Sequence, residues 1–255
     1  MSALARMDSP MECQSPVLDH ERRFQPPREA AEAFLRATGP FTEPRLYASD
    51  YPYAFTRTTY FDTQELALLH SRGSGRAQRL RLREYAGAAE LGQAPVLTGL
   101  RFLELKVTSG ERRMKSRCPV SAEEAEALLS GAPLSEASAA GALLGQFVQA
   151  PVKPWVTAWY RRTTHETSDG RVRITLDEEL TFALPPMPGS PAAPTRLLQR
   201  APSALLEVKW HGRSPFWLEH ALRRLEPSET QGSKFEQGMR ALFGGVLPVP
   251  LSRAR

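Results

Sequence analysis

The sequence predicts an α+β protein built on a mainly antiparallel β-sheet, and three observations predict it. Eight segments alternate in side-chain character with period two, two glycine-bearing turns join neighbouring segments as hairpins, and the few helices are each marked by a cap or a proline. The 255 residues, 41% hydrophobic and 24% charged, suffice to bury a core without metal or disulfide support. These values exclude collagen-like and wholly disordered chains.

Taken in order, the strand-like segments are Glu21 to Phe24, Thr56 to Phe61, Arg79 to Tyr85, Phe102 to Thr108, Glu111 to Arg117, Val156 to Thr164, Val172 to Leu176 and Ala204 to Trp210. Ser109-Gly110 and Asp169-Gly170 supply the hairpin turns, where glycine accepts the positive φ. Helices are expected from Arg28 to Thr38 after Pro27, and from Ala122 to Ser130 behind the capping box of Ser121 and Glu124. Two more are expected from Ser214-Pro215 to before Pro227, and from the capping box of Ser233 and Glu236 to Phe243. Ala86 to Gly99 and the proline-rich Ala183 to Pro202 are expected as surface loops. Residues 1–18 and 248–255 lack periodicity and read as disordered tails around one domain, 19–247.

Several chemistries have no support. No apolar run approaches the roughly 18 residues of a membrane helix, and the N-terminal stretch lacks a signal-peptide core, so a cytoplasmic protein is expected. Cys13 and Cys118 form no disulfide framework and are expected as reduced thiols. The five histidines have no zinc spacing, and Gly73 to Arg76 lacks the Gly-Lys-Ser/Thr of a phosphate loop. Trp155, Trp159, Trp210, Trp217 and Phe216 are expected to pack the outside of the sheet against helices.

The distribution of charge carries more information than its net value of +5. In the strand from Arg79 to Tyr85, Arg79, Arg81 and Arg83 share one face, while Leu80 and Leu82 share the other. The phase recurs in Glu21 and Arg23, Glu104 and Lys106, Tyr160 and Arg162, Arg171 and Arg173, and Glu207 and Lys209. An ordinary apolar core would penalise such ions by several kcal/mol per unpaired charge. Either the charged faces look at solvent across an open sheet, or the sheet closes into a barrel with a charged, wet lumen and helices outside. A closed lumen would need anions to fill it, and arginine forks match phosphate oxygens.

Eight motifs in this order also carry a family resemblance: Glu21 to Phe24, Thr59 to Thr63, Arg81 to Tyr85, Phe102 to Lys106, Tyr160 to Thr163, Arg173 to Asp177, Leu206 to Lys209 and Ser233 to Phe235. They resemble the VTC (vacuolar transporter chaperone) polyphosphate polymerase domain of the CYTH-like triphosphate tunnel metalloenzymes, over about residues 19 to 243. The resemblance implies an antiparallel β-tunnel with outer packing helices. It would transfer the γ-phosphate of ATP to a growing inorganic polyphosphate chain with Mn2+ or Mg2+.

Carried over by motif position, the resemblance assigns phosphate binding to Arg23, Arg81, Arg83, Lys106, Arg162, Arg173 and Lys234; Lys115 and Lys209 are expected beside them on the phosphate, and Ser233 as the cap that aims helix amides at it. It assigns catalysis to Arg81, Arg83, Lys106 and Glu207, with Glu207 holding the metal. The family's first-strand Glu-x-Glu-x-Lys is here Asp19-His20-Glu21-Arg22-Arg23, and Gln231 stands where some relatives carry a basic residue. No nucleic acid is expected as a partner, and coupling to translocation would require a separate membrane partner. The alternatives are a triphosphatase or polyphosphatase using the same tunnel, and a noncatalytic polyphosphate-binding module. The acid Glu207 among the cations argues against the last.

Overall fold

The computed structural model describes residues 18–47, 50–71, 75–88, 93–110, 112–148 and 150–248. The tail expectations, Cys13, and Gly73 and Ser74 of the Gly73–Arg76 turn lie outside these residues. Among the described residues ten strands occur: β1 (His20–Phe24), β2 (Glu43–Pro44), β3 (Tyr53–Asp62), β4 (Arg76–Gly87), β5 (Val96–Ser109), β6 (Arg112–Pro119), β7 (Lys153–Glu166), β8 (Val172–Ala183), β9 (Leu197–Arg200) and β10 (Leu205–Trp210). They form one antiparallel sheet in the order β1-β10-β8-β7-β3-β4-β5-β6, with β2 on β7 and β9 on β8. The sheet curls into a half-barrel with β1 and β6 at the ends of its path. Every strand expected from alternation is present, and the Gly110 and Gly170 turns have φ of 55° and 69°.

Six α-helices among the described residues accompany the sheet: α1 (Arg28–Thr38), α2 (Ala67–His70), α3 (Ala122–Ser130), α4 (Ala139–Phe147), α5 (Phe216–Arg223) and α6 (Lys234–Leu242). Both expected capping boxes, Ser121 with Glu124 and Ser233 with Glu236, are formed. On the convex side, Leu80, Leu82, Leu103, Leu105 and Val107 of β4 and β5 pack against Ala125 and Leu128 of α3 and Ala140 of α4. Phe24, Ile174, Leu206 and Val208 pack against Phe34 of α1 and Leu218 and Leu222 of α5. Each such side chain, removed from water, contributes about 1.5–3 kcal/mol before ordering costs. These are the apolar partners, by alternation, of the charged residues, so packing the helices outside turns the charges inward.

One helix departs from that arrangement. Phe235 and Met239 of α6 pack against Tyr60, Val156, Ala158, Tyr160, Leu180, Phe182 and Leu205, on the concave side of the strands. The approach is close enough to require Gly238, where an added Cβ would lie 3.0 Å from Val156 Cγ2 and 3.1 Å from Phe182 Cδ1. The helix fills one end of the curl and aims its N-terminus toward the charged part.

The two expected loops are shorter than the sequence implies. β4 and β5 pair as far as Gly87 with Val96, and the register shifts opposite Glu84 to Ala86, near Gly99 at φ 86°. The bulge lets pairing continue through an Ala/Gly-rich stretch. β9 forms inside the second expected loop, because the exposed edge of β8 accepts Leu197 to Arg200, a stretch free of proline between Pro194 and Pro202. Phe216 is 78% exposed and belongs to none of the core clusters, correcting its expected role, whereas Trp210 and Trp217 lie against the α1–α5 cluster and Trp159 lies in a small cluster with Ala192. Trp155 sits beside Phe243 and donates from Nε1 to the carbonyls of Asp62 and Thr63. No helix among the described residues is long and apolar enough to cross a membrane.

Candidate functional site

The concave face encloses a cavity of about 260 Å3 lined by Arg23, Arg79, Arg81, Arg83, Lys106, Lys115, Arg162, Arg173, Lys209 and Lys234, ten cations, with only Glu104 and Glu207 as acids. Ser233, Tyr60 and Thr175 complete much of the remaining wall. All eleven residues singled out by sequence thus meet in one place, delivered by seven strands and the start of α6. Arg79 belongs to the same cationic face and joins them. Arg171 does not: it precedes β8 and stands near Asp169, 3.9 Å away.

The charges are organised into three groups. At the joining of chain ends, β1 pairs with β10 so that Arg23 faces Glu207 and Glu21 faces Lys209. Arg23 donates from Nε to Glu207 at 2.9 Å and also bonds Glu21, while Lys209 lies 3.3 Å from Glu21 and 3.1 Å from Glu207. Burial opposes ionisation of Glu207, but Lys209, Arg23, Lys234 and Arg162 outweigh it and hold the carboxyl well below its ordinary range. The acid is therefore ionised at neutral pH, despite its burial.

The second group is built across β4, β5 and β6. Arg81 donates to Glu104 at 2.8 Å, and Lys115 lies 3.6 Å from the same carboxylate. Burial pushes Glu104 up, yet Arg81, Arg83 and Lys115 bring it down to about 2. Arg83 donates to the Tyr160 hydroxyl at 2.8 Å, while its Nε is buried without a hydrogen-bond partner. An orphaned, buried guanidinium donor costs about 1–3 kcal/mol or more, and an anionic oxygen would recover it. Lys106 is held below the usual lysine range by burial, reinforced by Lys209, Arg23 and Arg79 and opposed by Glu21.

The third group gathers the candidates Arg162 and Lys234 around Asp177, an acid that was not among the candidate residues. Asp177, fully buried, accepts both forks of Arg162 at 2.6 and 2.7 Å and lies 2.5 Å from Lys234. It ties strand β7 to the first residue of α6. Tyr160 lies beneath, with Lys234 Nζ 4.8 Å and Arg162 Cζ 5.2 Å from its ring centroid. Burial pushes the phenol up, but Arg83, Arg162 and Lys234 prevail and bring it to about 8. Asp177 stands two residues after Thr175 on the inward face, a phase legible in the sequence, but its partners are 15 and 57 residues away and alternation cannot name them. Arg173 pairs with Glu166 at 2.5 Å, and the Ser233 hydroxyl accepts the Glu236 amide at 3.2 Å, so Ser233 shapes the helix start.

A second cavity of about 230 Å3 shares Arg23, Arg79 and Lys106 with the first and continues past them to Glu21, Thr108, Thr230 and Gln231. It bridges β1 and the β4–β5 hairpin. Asp19 does not reach either cavity and instead accepts the Gly212 amide at 3.0 Å. Asp62, which the motif comparison also includes, is buried and structural: its carboxylate receives the amides of Thr63, Leu68 and Leu69 and anchors α2.

Among the described residues no group of three or more metal-ligating side chains occurs. Glu207 lines the first cavity and Glu21 the second, and the two carboxylates share the cations Arg23 and Lys209 beside the residues common to both cavities. Magnesium-like ions are commonly held by one or two carboxylates plus substrate phosphates, so this donor set fits such an ion only together with a phosphate ligand.

A curled antiparallel sheet with a cation-lined lumen defines the CYTH-like triphosphate tunnel fold, and solved structures share it. A candidate adenylate cyclase from Bacillus halodurans superposes with a TM-score of 0.51 at 16% identity, covering 85% of this chain and 94% of that one. HpAC1 from Hippeastrum, a candidate adenylyl cyclase with a dominant triphosphatase activity, gives 0.52 at 16% identity, covering 89% and 97%. A search of curated protein sequences finds no match. The VTC domain model matches residues 19–243, and the chain belongs to that family.

Proposed function

We propose that this triphosphate tunnel protein is a polyphosphate polymerase-type phosphotransferase that moves the γ-phosphoryl group of ATP onto a growing inorganic polyphosphate chain. The observation that carries the reading is the continuity of the two cavities through Arg23, Arg79 and Lys106. A hydrolase needs room for one triphosphate, whereas a polymer-forming enzyme needs a cationic track that runs beyond it.

The chemistry asked of the side chains is positioning and charge compensation. Arg81, Arg83, Arg162 and Lys234 bind the triphosphate oxygens, and the orphaned Nε of Arg83 supplies a donor with no competing partner. Asp177 and Glu104 fix the arginine and lysine heads before substrate enters, which reduces reorganisation at the moment of transfer. A terminal oxygen of the polyphosphate chain attacks the γ-phosphorus, the bond to the β-phosphate oxygen breaks, and ADP leaves with that oxygen. A divalent ion, Mn2+ or Mg2+, held by Glu207 with Glu21 beside it, would neutralise charge on the transferring group.

The triphosphatase activity named for HpAC1 favours a second reading, in which water replaces the polyphosphate oxygen. Incubating the purified chain with ATP and manganese, and resolving polyphosphate, ADP and free phosphate, separates the two. ADP formed with long polyphosphate and little free phosphate is the expected result. ADP with equimolar free phosphate and no polymer would make the chain a triphosphatase.

A further inference from the structure

The phosphate-binding face continues, by strand alternation, into an aromatic patch beside Arg83, Glu104 and Lys115 of the first cavity's wall. Tyr85 follows Arg83 on β4, Phe102 precedes Glu104 on β5, and Arg117 follows Lys115 on β6, each two residues along the same face. That spacing puts the patch about 6.5–7 Å beyond the last phosphate-site residues. Arg117 is two-fifths exposed, yet it is held from three sides. Its guanidinium carbon sits 3.6 Å from the Phe102 ring centroid, its Nη2 donates to the Tyr85 hydroxyl at 3.2 Å, and its Nε lies 3.4 Å from Glu104. Tyr85 meets Phe102 edge-on at 6.3 Å. An exposed arginine ordinarily keeps its rotamer freedom, so a planar cation pinned flat on an aromatic ring is a surface prepared for stacking. The other cavity has no aromatic residue in its lining.

We propose that Arg117, seated on Phe102 and tied by Tyr85, is a stacking shelf for the base of a nucleoside triphosphate whose phosphates occupy the tunnel. The two sides of the site then differ in kind: the nucleoside stays at the aromatic patch, and the phosphate chain extends toward the second cavity. Stacking on a guanidinium plane reads no base edge, so ATP and GTP bind with similar affinity. The inference rests on the tunnel binding triphosphate, and the test separates the two claims.

The full-length chain is titrated calorimetrically with ATP and, separately, with inorganic tripolyphosphate, each at the same magnesium concentration. Arg117→Lys keeps the charge but removes the plane; Phe102→Leu removes the ring beneath it. Both variants are expected to weaken ATP roughly tenfold, within the range for base stacking, and to leave tripolyphosphate within about twofold of the parent. Equal weakening of both ligands, or unchanged ATP affinity in both variants, overturns the shelf while leaving the phosphate site standing. If the parent chain does not bind tripolyphosphate, the tunnel reading itself fails, and the shelf with it.

Discussion

In the proposed function, Arg83 and Glu207 are the residues on which the chemistry turns. Arg83 is 8% exposed, bonds Tyr160 with one nitrogen and leaves Nε orphaned, so it is held in the fold at a cost that a phosphate oxygen relieves. Arg83→Ala is expected to remain folded and to weaken tripolyphosphate binding by about 1.5–3 kcal/mol, the value of a charged hydrogen bond. Calorimetry showing parental affinity would mean that this guanidinium does not hold phosphate. Glu207→Gln is a different experiment, because Arg23 and Lys209 still have Glu21 as a partner. It should retain the fold and most ATP affinity while manganese-dependent turnover falls at least about a hundredfold. Parental turnover would remove Glu207 from the metal role.

At the scale of elements, α6 connects packing to charge. Phe235 and Met239 wedge it into the apolar part of the curl, and its first residue, Lys234, is bound to Asp177 in the cationic part. Moving the helix must move the lysine. Gly238→Ala adds a Cβ against Val156 and Phe182 on strands that cannot retreat, and overpacking of this kind costs about 1–3 kcal/mol. The expected result is a Tm lowered by about 2–12 °C, accompanied by weaker tripolyphosphate binding, although no phosphate-site residue is changed. A variant with lowered Tm and unaltered affinity would show that α6 fills space without positioning Lys234.

For the whole molecule, ten cations around one lumen repel each other, and the buried acids offset only part of that repulsion. A polyanion that fills the lumen should therefore stabilise the entire half-barrel. Tripolyphosphate at a hundred times its Kd adds about 2.7 kcal/mol of stability by mass action. For a chain of this length the gain corresponds to a rise in Tm of about 5–11 °C. Because the attraction is between charges, raising the salt concentration at fixed ligand should reduce the shift. Thermal denaturation with no shift at saturating tripolyphosphate would contradict a cationic lumen open to ligand.

Alternation in the sequence determined which side chains share a face: Arg81 and Arg83 against Leu80 and Leu82, Glu207 and Lys209 against Leu206 and Val208. It also determined the capping boxes of Ser121 and Ser233, since both partners of each lie within one helical turn. The family motifs then named the inward face as the phosphate face. Tertiary structure alone decided which strands became neighbours. β1 meets β10 across almost the whole chain, and only that pairing assembles Glu21, Arg23, Glu207 and Lys209 into one network. It also decided that α6 lies inside the curl rather than outside, that Asp177 joins Arg162 to Lys234, and that a second cavity extends the first. The physical reason is range: periodicity and capping act over a few residues, whereas curvature, register and charge pairing depend on contacts between segments that are distant in the chain.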